Sequence, residues 1–272
     1  MTDQDAKSGP DWAAYYRQTI GRDPRPLFER GMRALSAAGM EPGQAVEVGF
    51  GDGTETVALL IAGWSVLAID ATSEAADVLG SQVPDGATDR LEIRIASAEM
   101  VELPGFDLLF AAYALSFLER AAFSSFWDQV RERLRPRGFL VVNIFGVRDT
   151  WASRSEARSM TFLGETAVRR LVDGLEVISL DEEDEDGDSF EGPKHWHVFD
   201  IVARRPDRLL RQDFPGQPSG DIFDVGKQPE RPSRVALVDT THRHTSGCKA
   251  RGKATDVRFA EGTSAASPWF RW

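Results

Sequence analysis

The residues best suited to chemistry gather in one short stretch, Glu47-Val48-Gly49-Phe50-Gly51-Asp52-Gly53-Thr54, with a second acid, Asp70, closing the apolar run Ser65–Ile69. Three glycines at alternate positions let a backbone turn sharply and come close to a ligand, because they carry no Cβ. A carboxylate at the end of the following apolar run can accept from both hydroxyls of a ribose. The spacing Gly-x-Gly-x-x-Gly, which offers a helix N-terminus to a pyrophosphate, is not met, since Thr54 stands where the third glycine belongs. Glu47 and Asp52 flank the turn, and their charges oppose a pyrophosphate. A ligand carrying a ribose, a sulfonium and an ammonium suits such a turn. S-adenosylmethionine is that ligand. The competing interpretation is an ordinary tight turn between a strand and a helix.

Several elements must position these residues. The turn follows a strand at 45–49 and opens a helix, and 65–70 is the second strand. Leu91–Ala96 alternates with period two and is the third. Phe106–Ala111, almost wholly apolar, suits a strand covered on both faces. Phe123, Phe126, Trp127, Val130 and Leu134 share one face of a helix over 121–134, before a fifth strand at 139–145. A helix near 164–172 leads to strands at 175–180 and 195–203, with the acidic run Asp181–Asp188 expected as a solvated loop between them. Alternating strands and helices predict an α/β, doubly wound sheet. The last two strands have no helix between them, so the seventh must run antiparallel.

The flanks differ from this centre. Residues 11–39 are amphipathic and are divided by Pro24 and Pro26 into two helices. The domain boundaries expected are a helical cap at 1–40, an α/β domain at 41–205, and an irregular, disordered tail at 206–272. His242, His244 and Cys248 cluster in that tail but lack a fourth ligand and zinc spacing, so no metal site is expected.

Together these residues resemble the class I S-adenosylmethionine-dependent methyltransferases, and within them the small-molecule branch that includes the tellurite-resistance and thiopurine methyltransferases. The resemblance covers roughly residues 12–205. Besides the glycine turn it rests on Trp12-Ala-Ala-Tyr15-Tyr16, Phe106–Ala111, Leu134–Leu140 and Lys194-His195-Trp196-His197-Val198-Phe199. It implies a Rossmann-like sheet of seven strands with the last reversed, and S-adenosylmethionine as cofactor. Glu47 would accept from the methionyl ammonium, and Gly49, Gly51 and Gly53 would pack their backbone on the methionyl part. Asp70 would hold the ribose, and Ala71 and Thr72 would flank the adenine. Ser97 stands where the family commonly has an acid for the adenine amino group, with Glu99 as a substitute, and the Ala98 amide would donate to the ring. Ala111 would border the cofactor at the end of the fourth strand. Arg137 replaces a usual glycine in a turn, a change read as structural.

The acceptor side is less determined. After the fourth strand no Asn/Asp-Pro-Pro-aromatic segment occurs, which disfavours nucleobase and glutamine methylation; Tyr113 either lines the pocket or packs. Candidates are Trp12, Tyr15 and Tyr16 from a lid, then Arg148, Trp151, Lys194, His195 and His197. His195 and His197 share one strand face, with Trp196 on the other. Either histidine, or Tyr16, is a candidate general base, or both histidines are satisfied structural groups. Methyl transfer needs chiefly alignment, which supplies about 7–11 kcal/mol, so a soft thiol or chalcogen oxyanion acceptor needs no strong base. The alternative is a catalytically inactive binding or regulatory module.

Composition bounds the rest. The 272 residues carry a net charge of −11, which opposes binding to a phosphate backbone. No apolar run of membrane-spanning length and no signal-peptide layout is present, and the single cysteine suits a reducing compartment. A cytoplasmic enzyme acting on a small molecule, with no nucleic-acid or membrane partner, is expected; the oligomeric state is left open.

Overall fold

The computed structural model describes residues 12–207. The seven strands are β1 (Gln44–Val48), β2 (Ser65–Asp70), β3 (Leu91–Ile95), β4 (Phe106–Ala111), β5 (Leu134–Phe145), β6 (Glu176–Ser189) and β7 (Gly192–Arg204). They form one sheet in the order β3-β2-β1-β4-β5-β7-β6. β1 to β5 pair in parallel, while β7 is antiparallel to both β5 and β6. The reversed strand expected from the missing helix is therefore present. Among the described residues six α-helices accompany the sheet: α1 (Trp12–Thr19), α2 (Pro26–Ala37), α3 (Thr54–Ile61), α4 (Ser73–Gly80), α5 (Arg120–Arg133) and α6 (Glu165–Leu171).

The strand order reverses direction between β1 and β4, which opens a crevice at their carboxyl ends, where ligands bind in such sheets. Ala45, Val46, Leu108, Leu109 and Phe110 are buried, as strands covered on both faces require. Helix α2 begins at Pro26, whose fixed φ suits a first helical turn, and buries Leu27, Phe28 and Leu35. Phe28 meets Phe110 edge-on at 5.2 Å, and Arg30 pairs with Asp200 of β7 at 2.5 Å. The cap is thus tied to the sheet by packing and by charge. Helix α5 buries the aromatic face expected of it, with Phe123 stacked on Trp127 at 5.9 Å.

Two expectations need correction. Asp181–Asp188 is not a loop: it is the body of β6, which pairs with β7 up to Ser189 opposite Gly192. The acidic side chains are tolerated because basic groups face them, His195 lying directly opposite Asp186 and His197 opposite Asp184. β6 is also the sheet's edge, where charge discourages pairing with another chain. Strand β5 starts earlier than expected because Leu134 already pairs with Phe106 of β4; the register then shifts, and in that irregular stretch Arg137 adopts φ +68°, where a glycine would be unstrained. The expected tail at 206–272, with His242, His244 and Cys248, lies beyond the described residues apart from its first two positions. Among the described residues no helix is long and apolar enough to cross a membrane.

Candidate active site

The loop from β1 into α3 lines a cavity at the sheet's crevice through Gly49, Phe50, Gly51 and Asp52. Gly49 and Gly51 have φ of +72° and +53°, values that glycine adopts without strain. A Cβ on Gly49 would come 2.4 Å from the Ala114 Cβ, so the turn is closely packed on the segment after β4. Opposite it, the Asp70 carboxylate accepts from the Gly51 amide at 3.0 Å and the Thr72 amide at 2.8 Å. Burial pushes its pKa up, partly offset by those amides. Ala71, Thr72, Ala96, Ser97 and Ala98 continue the same wall. The Ser97 hydroxyl donates to Glu99 in a very short bond, so its lone pairs are left for a ligand donor.

The acids of the turn are not free charges. Glu47 is buried, accepts from the Thr56 hydroxyl at 2.5 Å, and lies outside the cavity lining. Burial first, and the neighbouring Glu55 second, push its pKa well up. Asp52 and Glu55 are clamped by Arg22, which makes five hydrogen bonds: two to each carboxylate at 2.5–3.1 Å and one to the Asp23 carbonyl. Burial opposes ionisation of Glu55, but the Arg22 bonds and the Arg25 and Arg22 charges outweigh it and hold its pKa down. Repulsion of a pyrophosphate by Glu47 and Asp52 therefore cannot be what selects the ligand. The sheet topology, with its reversed β7, carries that distinction.

Helix α1 covers the cavity. Trp12, Tyr15 and Tyr16 all line it, with Trp12 edge-on to Phe117 at 5.2 Å and Tyr15 edge-on to Phe190, in the β6–β7 turn, at 5.6 Å. The Tyr16 hydroxyl reaches the Asp70 carboxylate at 3.4 Å. Burial and the Asp70 charge push the Tyr16 hydroxyl well above its ordinary pKa, so it serves as a hydrogen-bond donor and not as a base. Tyr113, with φ +54°, donates its amide to Asn143 at 2.6 Å and presents its ring to the cavity.

The proposed bases are elsewhere. His197 is buried; its Nδ1 accepts from the Arg148 amide at 2.9 Å, which leaves Nε2 to donate to Glu182 at 2.9 Å. His195 sits between Asp184 and Asp186 at 2.9 and 2.7 Å. Neither lines the cavity, and neither do Arg148, Trp151 or Lys194. Lys194 pairs with Asp149 at 2.8 Å between Trp151 and Trp196, and burial lowers its pKa. Of the positions expected at the cofactor, Gly49, Gly51, Asp70, Ala71, Ser97 and Ala98 line the cavity; Glu47, Gly53 and Ala111 do not. Arg22, Arg25 and Glu55, all in the lining, were not anticipated. Their only trace in the sequence is a pair of arginines in the proline-bounded linker before α2.

Residues 45–138 match the family model of a methyltransferase domain. The class I methyltransferase fold is this chain's fold. Among solved structures, TehB from Haemophilus influenzae is similar with a TM-score of 0.56 at 12% identity, over 71% of this chain and 67% of that one. Magnesium protoporphyrin IX methyltransferase from Synechocystis, with S-adenosylhomocysteine bound, gives 0.52 at 13% identity, over 70% and 92%. An S-adenosylmethionine-dependent methyltransferase from Methanosarcina mazei gives 0.50 at 18%, over 68% and 100%. No curated protein matches the chain. Such identities speak for the fold, while the family match makes 45–138 a methyltransferase domain, an enzyme module whose cofactor is S-adenosylmethionine.

Proposed function

We propose that this methyltransferase domain passes a methyl group from S-adenosylmethionine to a small-molecule acceptor that enters beneath α1. The observation that carries the reading is the Asp70 carboxylate, held at the cavity wall by two backbone amides and facing the Gly49–Gly51 turn. Asp70 would hold the ribose hydroxyls, Ala71, Ser97 and Ala98 would enclose the adenine, and the turn would support the methionyl part. The cofactor supplies a methyl group on a sulfonium, a good leaving group. Trp12, Tyr15, Tyr16 and Phe117 would exclude water and aim the acceptor, a lid role in keeping with their place over the cavity.

Among the described residues, the lining contains no histidine, cysteine or lysine, and the tyrosine hydroxyls Tyr15 and Tyr16 are shifted away from ionisation by burial. This favours an acceptor that needs no strong base, such as a thiolate or a chalcogen oxyanion, and leaves alignment as the main source of rate. Calorimetric titration with S-adenosylmethionine and, separately, NAD tests the reading. Micromolar binding of the first, weakened at least tenfold by Asp70→Ala, is expected. Binding of NAD alone, or of neither ligand, would overturn it.

A further inference from the structure

Two non-glycine residues among those described have a positive φ, Tyr113 at +54° and Arg137 at +68°, and of the two only Tyr113 lines the cavity. It stands two residues past β4. A bulky side chain in the left-handed region crowds the following carbonyl, so the surrounding structure must hold it there. Such strain, where it occurs beside a ligand cavity, is a reason to look for what maintains it.

The hold comes from β5. The Asn143 side-chain oxygen accepts from the Tyr113 amide at 2.6 Å. Asn143 is buried and is absent from the cavity lining, so it can act on a ligand only through Tyr113. Its NH2 end completes no hydrogen bond and lies on the side of the Asp200 carboxylate, its partner in the β5–β7 register. A buried amide is costly when its groups go unpaired, and the one bond that this side chain completes is given to Tyr113. Asp200 is in turn held by Arg30 of α2 at 2.5 Å. Burial pushes the Asp200 pKa up, while the Arg30 charge and then the Asn143 side chain pull it back. Arg30, Asp200 and Asn143 therefore form one line of polar groups from α2 to the backbone of the cavity wall.

The ring placed in this way belongs to an aromatic part of the lining. Trp196 and Phe145 back the Tyr113 ring at 5.8 and 6.1 Å without entering the cavity. Phe117 and Trp12, which do line it, meet edge-on at 5.2 Å. Ala114, the next residue along, is where the Gly49 turn packs. A change of φ at Tyr113 would swing the ring and disturb that packing together.

We infer that Asn143 is a positioning residue of the acceptor side: it holds Tyr113 in the left-handed conformation that turns the ring into the cavity, and so sets the wall against which the acceptor is aimed; this rests on the methyltransferase reading of the cavity. Asn143 touches neither substrate.

The test uses the full chain labelled with nitrogen-15 tyrosine. Its three tyrosines give three amide signals, of which Tyr113→Phe removes one and so assigns it. A bond of 2.6 Å places the Tyr113 amide proton downfield. Asn143→Leu, similar in shape but with no acceptor, should move it upfield, and Asn143→Asp, which keeps an oxygen in the same place, should leave it downfield. The second readout adds benzenethiol, a thiol of the acceptor class proposed above, to protein saturated with S-adenosylhomocysteine. Benzenethiol should shift the Tyr113 signal of the unaltered protein. Its affinity should fall about tenfold in Asn143→Leu and recover in Asn143→Asp, while S-adenosylhomocysteine affinity stays the same. A merely structural role would weaken both ligands together, and that result overturns the inference. So does an amide signal that stays downfield in Asn143→Leu, or a Tyr113 signal indifferent to benzenethiol. Failure of the unaltered protein to bind S-adenosylhomocysteine would instead overturn the methyltransferase reading. Should Asn143→Leu lose its near-ultraviolet circular dichroism, Asn143→Ser, whose hydroxyl falls short of the Tyr113 amide, takes its place with the same expectations.

Discussion

The turn after β1 and the β6–β7 hairpin are built from the same kinds of residue and behave differently. Both bring carboxylates together with arginine. At the turn Asp52 and Glu55 are almost fully buried, with side-chain exposures of 2% and 3%, and Arg22 gives them four hydrogen bonds, two to each. On the hairpin Glu182, Asp184 and Asp186 are open to solvent and share Arg148, His195 and His197. Buried charges cannot fall back on water, so each must be matched by the protein, whereas exposed pairs are screened and contribute little. A charge cluster therefore becomes a structural unit at the turn and a solubilising edge on the hairpin.

Breaking the buried cluster gives the largest expected effect. Arg22→Met removes the four charge-assisted bonds held by the buried Asp52 and Glu55, leaving them the Thr54 and Arg25 amides and a long pair with Arg25, and should cost about 3–5 kcal/mol of stability in denaturant titration. The matching change on the hairpin, Arg148→Met, should leave the midpoint of the same titration where it was. Comparable losses in both variants would erase the contrast.

Glu47 sharpens it at the next level. Its pKa is raised by burial, so the folded protein keeps its proton to a higher pH than the unfolded chain does. Such a group lowers stability above the unfolded pKa, near 4.3. Glu47→Gln keeps the Thr56 contact without the ionisable group, and should raise the melting temperature at pH 7. The gain should shrink as the pH falls towards about 4.3. An unaltered or lowered melting temperature at pH 7 would mean Glu47 is charged in the fold.

The smallest effect belongs to His195. The hydrogen bonds to Asp184 and then Asp186 raise its pKa above the ordinary value. With a raised folded pKa, its contribution to the hairpin is present below the unfolded value of about 6.5 and is lost as pH rises through the folded one. An NMR titration should place the imidazole midpoint above about 6.5, and Asp184→Asn should bring it down. A midpoint indifferent to Asp184 would show that the ladder is not formed in solution.

Much of this was legible in the primary structure. The strand sequence and the reversed seventh strand followed from apolar runs and from the missing helix before β7. Asp70 and the glycine turn were evident because their constraint is local: the glycines have positive φ, and Asp70 closes the strand beside them. Lys194 and His197 read as substrate groups because their types suit chemistry, yet each is consumed by a carboxylate from another segment, the buried Asp149 and the exposed Glu182. The acidic run looked like a loop because its neutralising partners come from β7 and from Arg148.

The amino-acid sequence by itself determined the sheet, the turn and the acid that closes β2, since apolar periodicity and glycine act over a few residues. Only the tertiary structure decided which charges are free. Whether Glu47, Asp52 and Glu55 are anions facing a ligand or groups locked into the scaffold depends on burial and on Arg22, more than thirty positions from Glu55. Solvation and pairing are properties of the assembled cavity, and no window of the chain contains them.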